Sequence, residues 1–87
     1  MAEVHLPSTL PSVFAGLPRK LEVDAATVAD AFGDLERRWP GLYDRLCEAG
    51  PALRPHINVY VDSERGGPDS ALQPASRVDV IAAISGG

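Results

Sequence analysis

Residues 76–87, SRVDVIAAISGG, close the printed sequence and decide how its fold is interpreted. Apolar and polar side chains alternate from Arg77 to Val80, and the run stays apolar to Ile84, which together predict a β-strand. Two glycines follow at once, although glycine adds little to packing in a strand. The glycine pair is therefore either a frayed end or a working part, and the rest of the sequence has to decide between them. The inward-facing residues are predicted to be Val78, Val80, Ala82 and Ile84.

The same alternation marks three strands upstream of this one. HINVYVD at residues 56–62 is the clearest of them, and AEVHL at 2–6 and KLEVD at 20–24 predict two shorter strands. Between those two, residues 7–20 contain prolines and a glycine, which predict a loop. Its apolar residues are expected to pack against the core: Leu10, Val13 and Phe14.

From Thr27 the apolar period changes to three or four residues, which predicts an amphipathic helix over residues 27–39. Thr27 or Asp24 can cap its start, and Pro40-Gly41 ends it. A further turn or two is expected after Gly41.

The segment before the closing strand carries turn residues. SERGGPDS at 63–70 predicts a turn-rich connection, and ALQPAS at 71–76 predicts a short edge strand at most, because of Pro74. The predicted order is therefore strand, strand, helix, strand, a short edge strand and a closing strand.

Length and charge restrict the class of protein. Eighty-seven residues form one domain, and a formal charge of −4 argues against nucleic acid or a membrane surface as a partner. No run approaches the roughly 18 apolar residues of a membrane span, and no secretory signal is recognised, so a cytoplasmic location is expected. The acidic surface either steers the chain towards basic partners or only keeps it in solution.

No catalytic constellation stands out, and an enzyme is not predicted. Cys47 is the only cysteine, without a signature for a base, and is interpreted as a half-buried structural residue. His5 and His56 are far apart in sequence, and no metal site is predicted. Trp39 lies at helical spacing and is predicted to belong to the core.

Three stretches together resemble the ubiquitin-like sulfur carriers. RPHINVYVDSE at residues 54–64, the closing residues 76–87 and the helical segment 27–46 are similar to that family. It includes the small subunit of molybdopterin synthase, the thiamine-pathway carrier and the actinobacterial carrier for cysteine biosynthesis. The chain departs from the family at Ala82, where relatives often carry proline, and at Ser85, where alanine is common.

This resemblance implies an α+β fold, the ubiquitin-like β-grasp, in which a mixed sheet of four to five strands curls around one main helix. The implied domain covers residues 1–84, and residues 85–87 form a flexible, reactive C-terminal tail. The reactive group would be the α-carboxylate of Gly87, with Ser85 and Gly86 completing the tail. Glycines without a Cβ could enter a narrow channel.

The resemblance also implies two partner enzymes. An adenylyltransferase and sulfurtransferase related to ubiquitin-activating enzymes would use ATP and magnesium, neither bound by this chain itself, to convert Gly87 to a thiocarboxylate. A biosynthetic enzyme would then accept the sulfur, in cysteine, molybdopterin or secondary-metabolite synthesis. The free chain is expected to be a monomer. The residues expected to dock on the partners are Ile81, Tyr60 and Ile84.

Two other functions remain open at this point. The chain could be a protein modifier that is conjugated through Gly87, or a β-grasp interaction module with an inert tail. Lys20 is the only lysine, so branched chains of this protein on itself are not expected.

Overall fold

The computed structural model describes residues 1–7, 14, 16–47 and 53–82. Within these residues the chain forms five strands and two helices. The strands are β1 (Ala2–His5), β2 (Lys20–Val23), β3 (Ile57–Val61), β4 (Glu64–Gly66) and β5 (Arg77–Ala82), and the helices are α1 (Val28–Arg38) and α2 (Leu42–Leu46).

The strands form one mixed sheet in the order β2-β1-β5-β3-β4. β1 and β5 are parallel, whereas the three other neighbouring pairs are antiparallel. The first and last strands therefore lie side by side, and the last strand occupies the centre of the sheet. This is the α+β, β-grasp arrangement that the sequence predicts, with five strands.

The hydrophobic core lies between one face of the sheet and α1. The helix contributes the buried side chains of Val28, Ala31, Phe32 and Leu35. Opposite them, β1, β3 and β5 bury every second residue, as their alternating sequences predict. Trp39 and Phe14 are partly buried against this core, as expected, while Leu10 and Val13 lie outside the described residues.

A hydrogen-bonded connection fixes the start of α1. Thr27 is the cap, because its Oγ1 accepts a hydrogen bond of 3.2 Å from the amide of Asp30. The amides of Val28 and Ala29 donate to the carbonyls of Ser70 and Pro68, at 3.1 and 2.9 Å. The segment before β5 thus satisfies the helix amides that have no partner within the helix itself.

The prediction for the segment before β5 is wrong in one respect. Residues 63–70 contain β4, whereas Ala71 forms only an isolated bridge to Thr27. Asp62 and Ser63 have left-handed φ angles of 51° and 72°, and this two-residue turn folds β4 back onto β3. β4 lies at the sheet edge with Glu64 and Arg65 exposed, so it shows no buried alternation in sequence.

Candidate functional site

The candidate site lies where the closing strand leads towards the C-terminal residues. β5 pairs with β3 along its length from Val78 to Ala82, and with β1 from Arg77 to Asp79. The carboxylate of Asp62 accepts from the Ser76 hydroxyl at 3.0 Å and from the Arg77 amide at 2.9 Å. The strand is therefore held at its start and on both edges, and Ala82 is a fixed point on the sheet.

The described residues end at Ala82, so the predicted tail lies outside them. The predicted residues concerned are Ile84, Ser85, Gly86 and Gly87. We call Ala82 the tail root. The boundary between a domain of residues 1–84 and a tail of residues 85–87 stays a prediction.

A surface cavity of about 470 Å³ opens beside the tail root. It forms where β5 continues past Asp79, the last β5 residue that pairs with β1. Because β1 and β5 are parallel, their C-terminal ends lie at the same end of the sheet. Because β2 is antiparallel to β1, the start of β2 lies there too. We call it the root cavity; it is lined by His5, Leu6, Pro7, Arg19, Lys20 and residues 79–82.

Ile81 lies in this cavity wall and faces away from the core. It is 48% exposed. Met1 is the one other large apolar residue that is exposed among the described residues. Asn58 is its direct partner on β3, while Tyr60 pairs with Asp79 and lies diagonally on the same face. Tyr60 is half-buried. The predicted outward orientation of Ile81 is confirmed, whereas its docking role with Tyr60 and Ile84 stays a prediction.

Charged side chains lie on the same outer face of the sheet as Ile81, nearer the start of β5. Asp79 is bound by Arg77, whose Nε lies 3.1 Å from both carboxylate oxygens. Glu3 is shared, with Oε1 2.7 Å from His5 Nε2 and Oε2 3.8 Å from Lys20 Nζ. The hydrogen bond from His5 holds the pKa of Glu3 below its usual range.

Arg19 and Lys20 are the members of this site that sequence patterns did not single out. Their place beside Ile81 depends on the parallel pairing of β1 with β5 and on the antiparallel return of β2. The KLEVD alternation predicted β2, but no local signal shows which strand lies beside it.

The other candidate residues do not form a site. Cys47 is more buried than expected, with only 2% exposure, and burial raises the pKa of its thiol. Within the described part of the chain, no group of three or more potential metal ligands comes together. Neither of the helices described here is long and apolar enough to cross a bilayer.

Solved structures similar to this chain include a chain of a two-protein complex and small archaeal proteins. A chain of the Amycolatopsis orientalis BexX/CysO complex has a TM-score of 0.89 and 28% identity, with 100% of both chains covered. SAMP1, the small archaeal modifier protein 1 of Haloferax volcanii, has a TM-score of 0.81 and 29% identity, covering 99% of this chain and 98% of that one.

The Haloferax volcanii HVO 2177 protein has 30% identity and a TM-score of 0.75, with 99% of this chain and 85% of that chain covered. No protein-family model and no curated protein matches the sequence. Among these similar proteins, the name that indicates a role is that of small archaeal modifier protein 1. Fold, length and sequence agree with the resemblance found in the motifs, and the chain belongs to the ubiquitin-like sulfur-carrier family.

Proposed function

We propose that this protein carries sulfur as a thiocarboxylate on Gly87 and is a co-substrate of its partner enzymes rather than a catalyst. The observation that carries the proposal is the position of β5. The strand occupies the centre of the sheet and ends at Ala82, five residues before Gly87. Five residues span at most about 17 Å, so a body docked through the tail root could deliver Gly87 into a partner's active site.

The chemistry requires a free α-carboxylate on Gly87. With a pKa of about 3.3–3.7 this group is ionised at neutral pH and is a poor electrophile. In the activating enzyme, one carboxylate oxygen would attack the α-phosphorus of magnesium-bound ATP, and pyrophosphate would leave. Hydrosulfide would then attack the acyl carbon, the bond to the AMP oxygen would break, and AMP would leave behind the thiocarboxylate. ATP and magnesium belong to the partner in this scheme.

Docking is assigned to the outer face of the sheet around the tail root. Ile81 is exposed there, and Tyr60 lies diagonally beside it on β3. Removing such apolar surface from water favours association by about 25 cal/mol for each Å², and the lost freedom of the two partners offsets part of this gain. The same face would serve the activating enzyme and the sulfur acceptor in turn, because both must engage the same tail. The acceptor belongs to cysteine, molybdopterin or secondary-metabolite synthesis.

The proposal is tested by the mass of the C-terminal peptide after isolation from the protein's own cells. Trypsin cleaves after Arg77 and releases residues 78–87, which lack methionine. This matters because oxidation of Met1 nearly matches the mass change when sulfur replaces oxygen. A thiocarboxylate-selective label should appear only on this peptide, and deletion of Gly87 should abolish it. No label after incubation with the activating enzyme, ATP and sulfide would overturn the proposal.

Conjugation to other proteins is a second candidate, favoured by the similarity to a protein named small archaeal modifier protein 1. An acyl-adenylate at Gly87 could be attacked by a lysine amine as well as by sulfide, with AMP leaving in either case. Conjugates that survive reducing agent and disappear on deletion of Gly87 would support this function. A thiocarboxylate without conjugates would favour the carrier alone.

A further inference from the structure

The charge around the tail root differs from that of the whole chain. The chain has a formal charge of −4, yet the full charges that line the root cavity are Arg19, Lys20 and Asp79. Of these, Asp79 is neutralised by its ion pair with Arg77. Glu3 offsets part of the Lys20 charge in the same way, whereas no described carboxylate pairs with Arg19, so the root cavity is a locally positive region on an acidic molecule.

Both cations remain accessible to a partner. The Lys20 side chain is 65% exposed, and its Nζ lies 3.8 Å from Glu3, beyond the distance of a direct hydrogen bond. Arg19 is exposed, and no described residue accepts a hydrogen bond from its guanidinium. An arginine in this situation can bind a carboxylate through two parallel hydrogen bonds.

Apolar surface lies beside these charges in the same cavity. Ile81 and Pro7 line it together with Arg19 and Lys20. An apolar contact with an adjacent charged rim is the usual composition of a protein interface, in which the apolar part contributes affinity and the charges contribute orientation and association rate.

We infer that the activating enzyme presents an acidic surface to this protein, with carboxylates that pair with Arg19 and Lys20 and an apolar side chain that packs on Ile81. The inference rests on the proposed function, because any enzyme that binds Gly87 must approach over the tail root. If the net charge steered docking it would favour a basic partner, and the local charge reverses that expectation for this docking site.

The test uses the activating enzyme from the source cells. Its purification is followed by an assay of ATP–pyrophosphate exchange, and the fractions kept are those in which exchange depends on the wild-type chain. R19Q/K20Q is compared with R37Q/R45Q, which removes the same charge from exposed arginines on α1 and α2. The quantities measured are kcat and KM for the carrier at several salt concentrations.

R19Q/K20Q should raise KM about 3- to 10-fold, leave kcat unchanged and flatten the dependence of KM on salt. R37Q/R45Q should stay within about two-fold of wild type. Equal KM values for the two variants, or an unchanged salt dependence in R19Q/K20Q, would overturn the inference while the proposed function stands. If no cell fraction supports exchange with the wild-type chain, the proposed function fails and the inference fails with it.

Discussion

At the scale of single residues, Glu36 shows how one carboxylate joins the two helices. Its oxygens accept hydrogen bonds of 3.0 and 3.1 Å from the Gly41 amide and of 2.9 Å from the Tyr43 amide. These bonds hold the pKa of Glu36 below its ordinary value of about 4.5, with the Gly41 bond the larger cause. The turn between α1 and α2 therefore depends on an ionised carboxylate.

We expect E36Q to lower the melting temperature by about 5 °C at pH 7. The side-chain NH₂ group of glutamine replaces one carboxylate oxygen and cannot accept the hydrogen bond that this oxygen takes from a backbone amide of the turn. A group with a depressed folded pKa contributes stability above its unfolded pKa, and this is lost as the pH falls through the folded pKa. The difference between E36Q and wild type should shrink below about pH 4. Thermal melts from pH 7 to pH 3 measure it.

E64Q is the control, since Glu64 is exposed and accepts no hydrogen bond from a described residue. A difference between E36Q and wild type that stays constant across the pH range would contradict the role given to the ionised carboxylate.

Gly66 and Gly67 provide a matched pair at the same scale. A Cβ on Gly66 would lie 2.5 Å from Ser70 Oγ, which accepts a hydrogen bond of 2.9 Å from the Gly67 amide. G66A should therefore displace that hydroxyl and cost about 1 kcal/mol in the free energy of unfolding. A Cβ on Gly67 meets no atom within 4 Å, so G67A should change the free energy of unfolding by less than about 0.5 kcal/mol. Urea denaturation of both variants checks this, and equal losses would show that the contact with Ser70 is unimportant.

At the scale of elements, β5 separates packing from recognition in adjacent residues. Val80 is 3% exposed and faces α1, whereas Ile81 is 48% exposed on the other face. V80A should lower the free energy of unfolding by about 2 kcal/mol, through lost burial and the cavity left behind. I81A should lower it by less than about 0.5 kcal/mol but slow the formation of the Gly87 thiocarboxylate. Urea denaturation and thiocarboxylate labelling separate the two effects, and normal labelling of I81A would remove Ile81 from the docking face.

β5 also shows how far local sequence patterns predict this fold. Its alternation, like that of β3, predicts both the strand and its buried face, because every second residue meets the core. β4 was missed because an edge strand with exposed Glu64 and Arg65 has no such alternation, and its tight turn uses Asp62 and Ser63 rather than glycine. The root cavity could not be predicted either, because strand pairing between distant segments sets its walls.

At the scale of the whole molecule, the proposed function assigns binding to the folded body and chemistry to Gly87. The sheet, the core and Ile81, as the structure describes them, lie within residues up to Ala82 and do not involve Gly87. A chain that lacks Gly87 should therefore fold and dock but carry no sulfur. Such a chain should compete with the intact carrier for the activating enzyme, because it keeps the binding surface while its terminal carboxylate, now on Gly86, is about 3.4 Å short of the reaction centre.

We expect this truncated chain to inhibit ATP–pyrophosphate exchange competitively, with an inhibition constant within about three-fold of the carrier's KM, if most binding energy comes from the body. The truncated chain that also carries I81A is the matched control and should inhibit more weakly, because its docking face has lost an apolar contact. Inhibition constants measured against varied wild-type carrier test both points. If neither truncated chain inhibits, the terminal glycine supplies the affinity, and the sheet around the tail root only holds the tail in place.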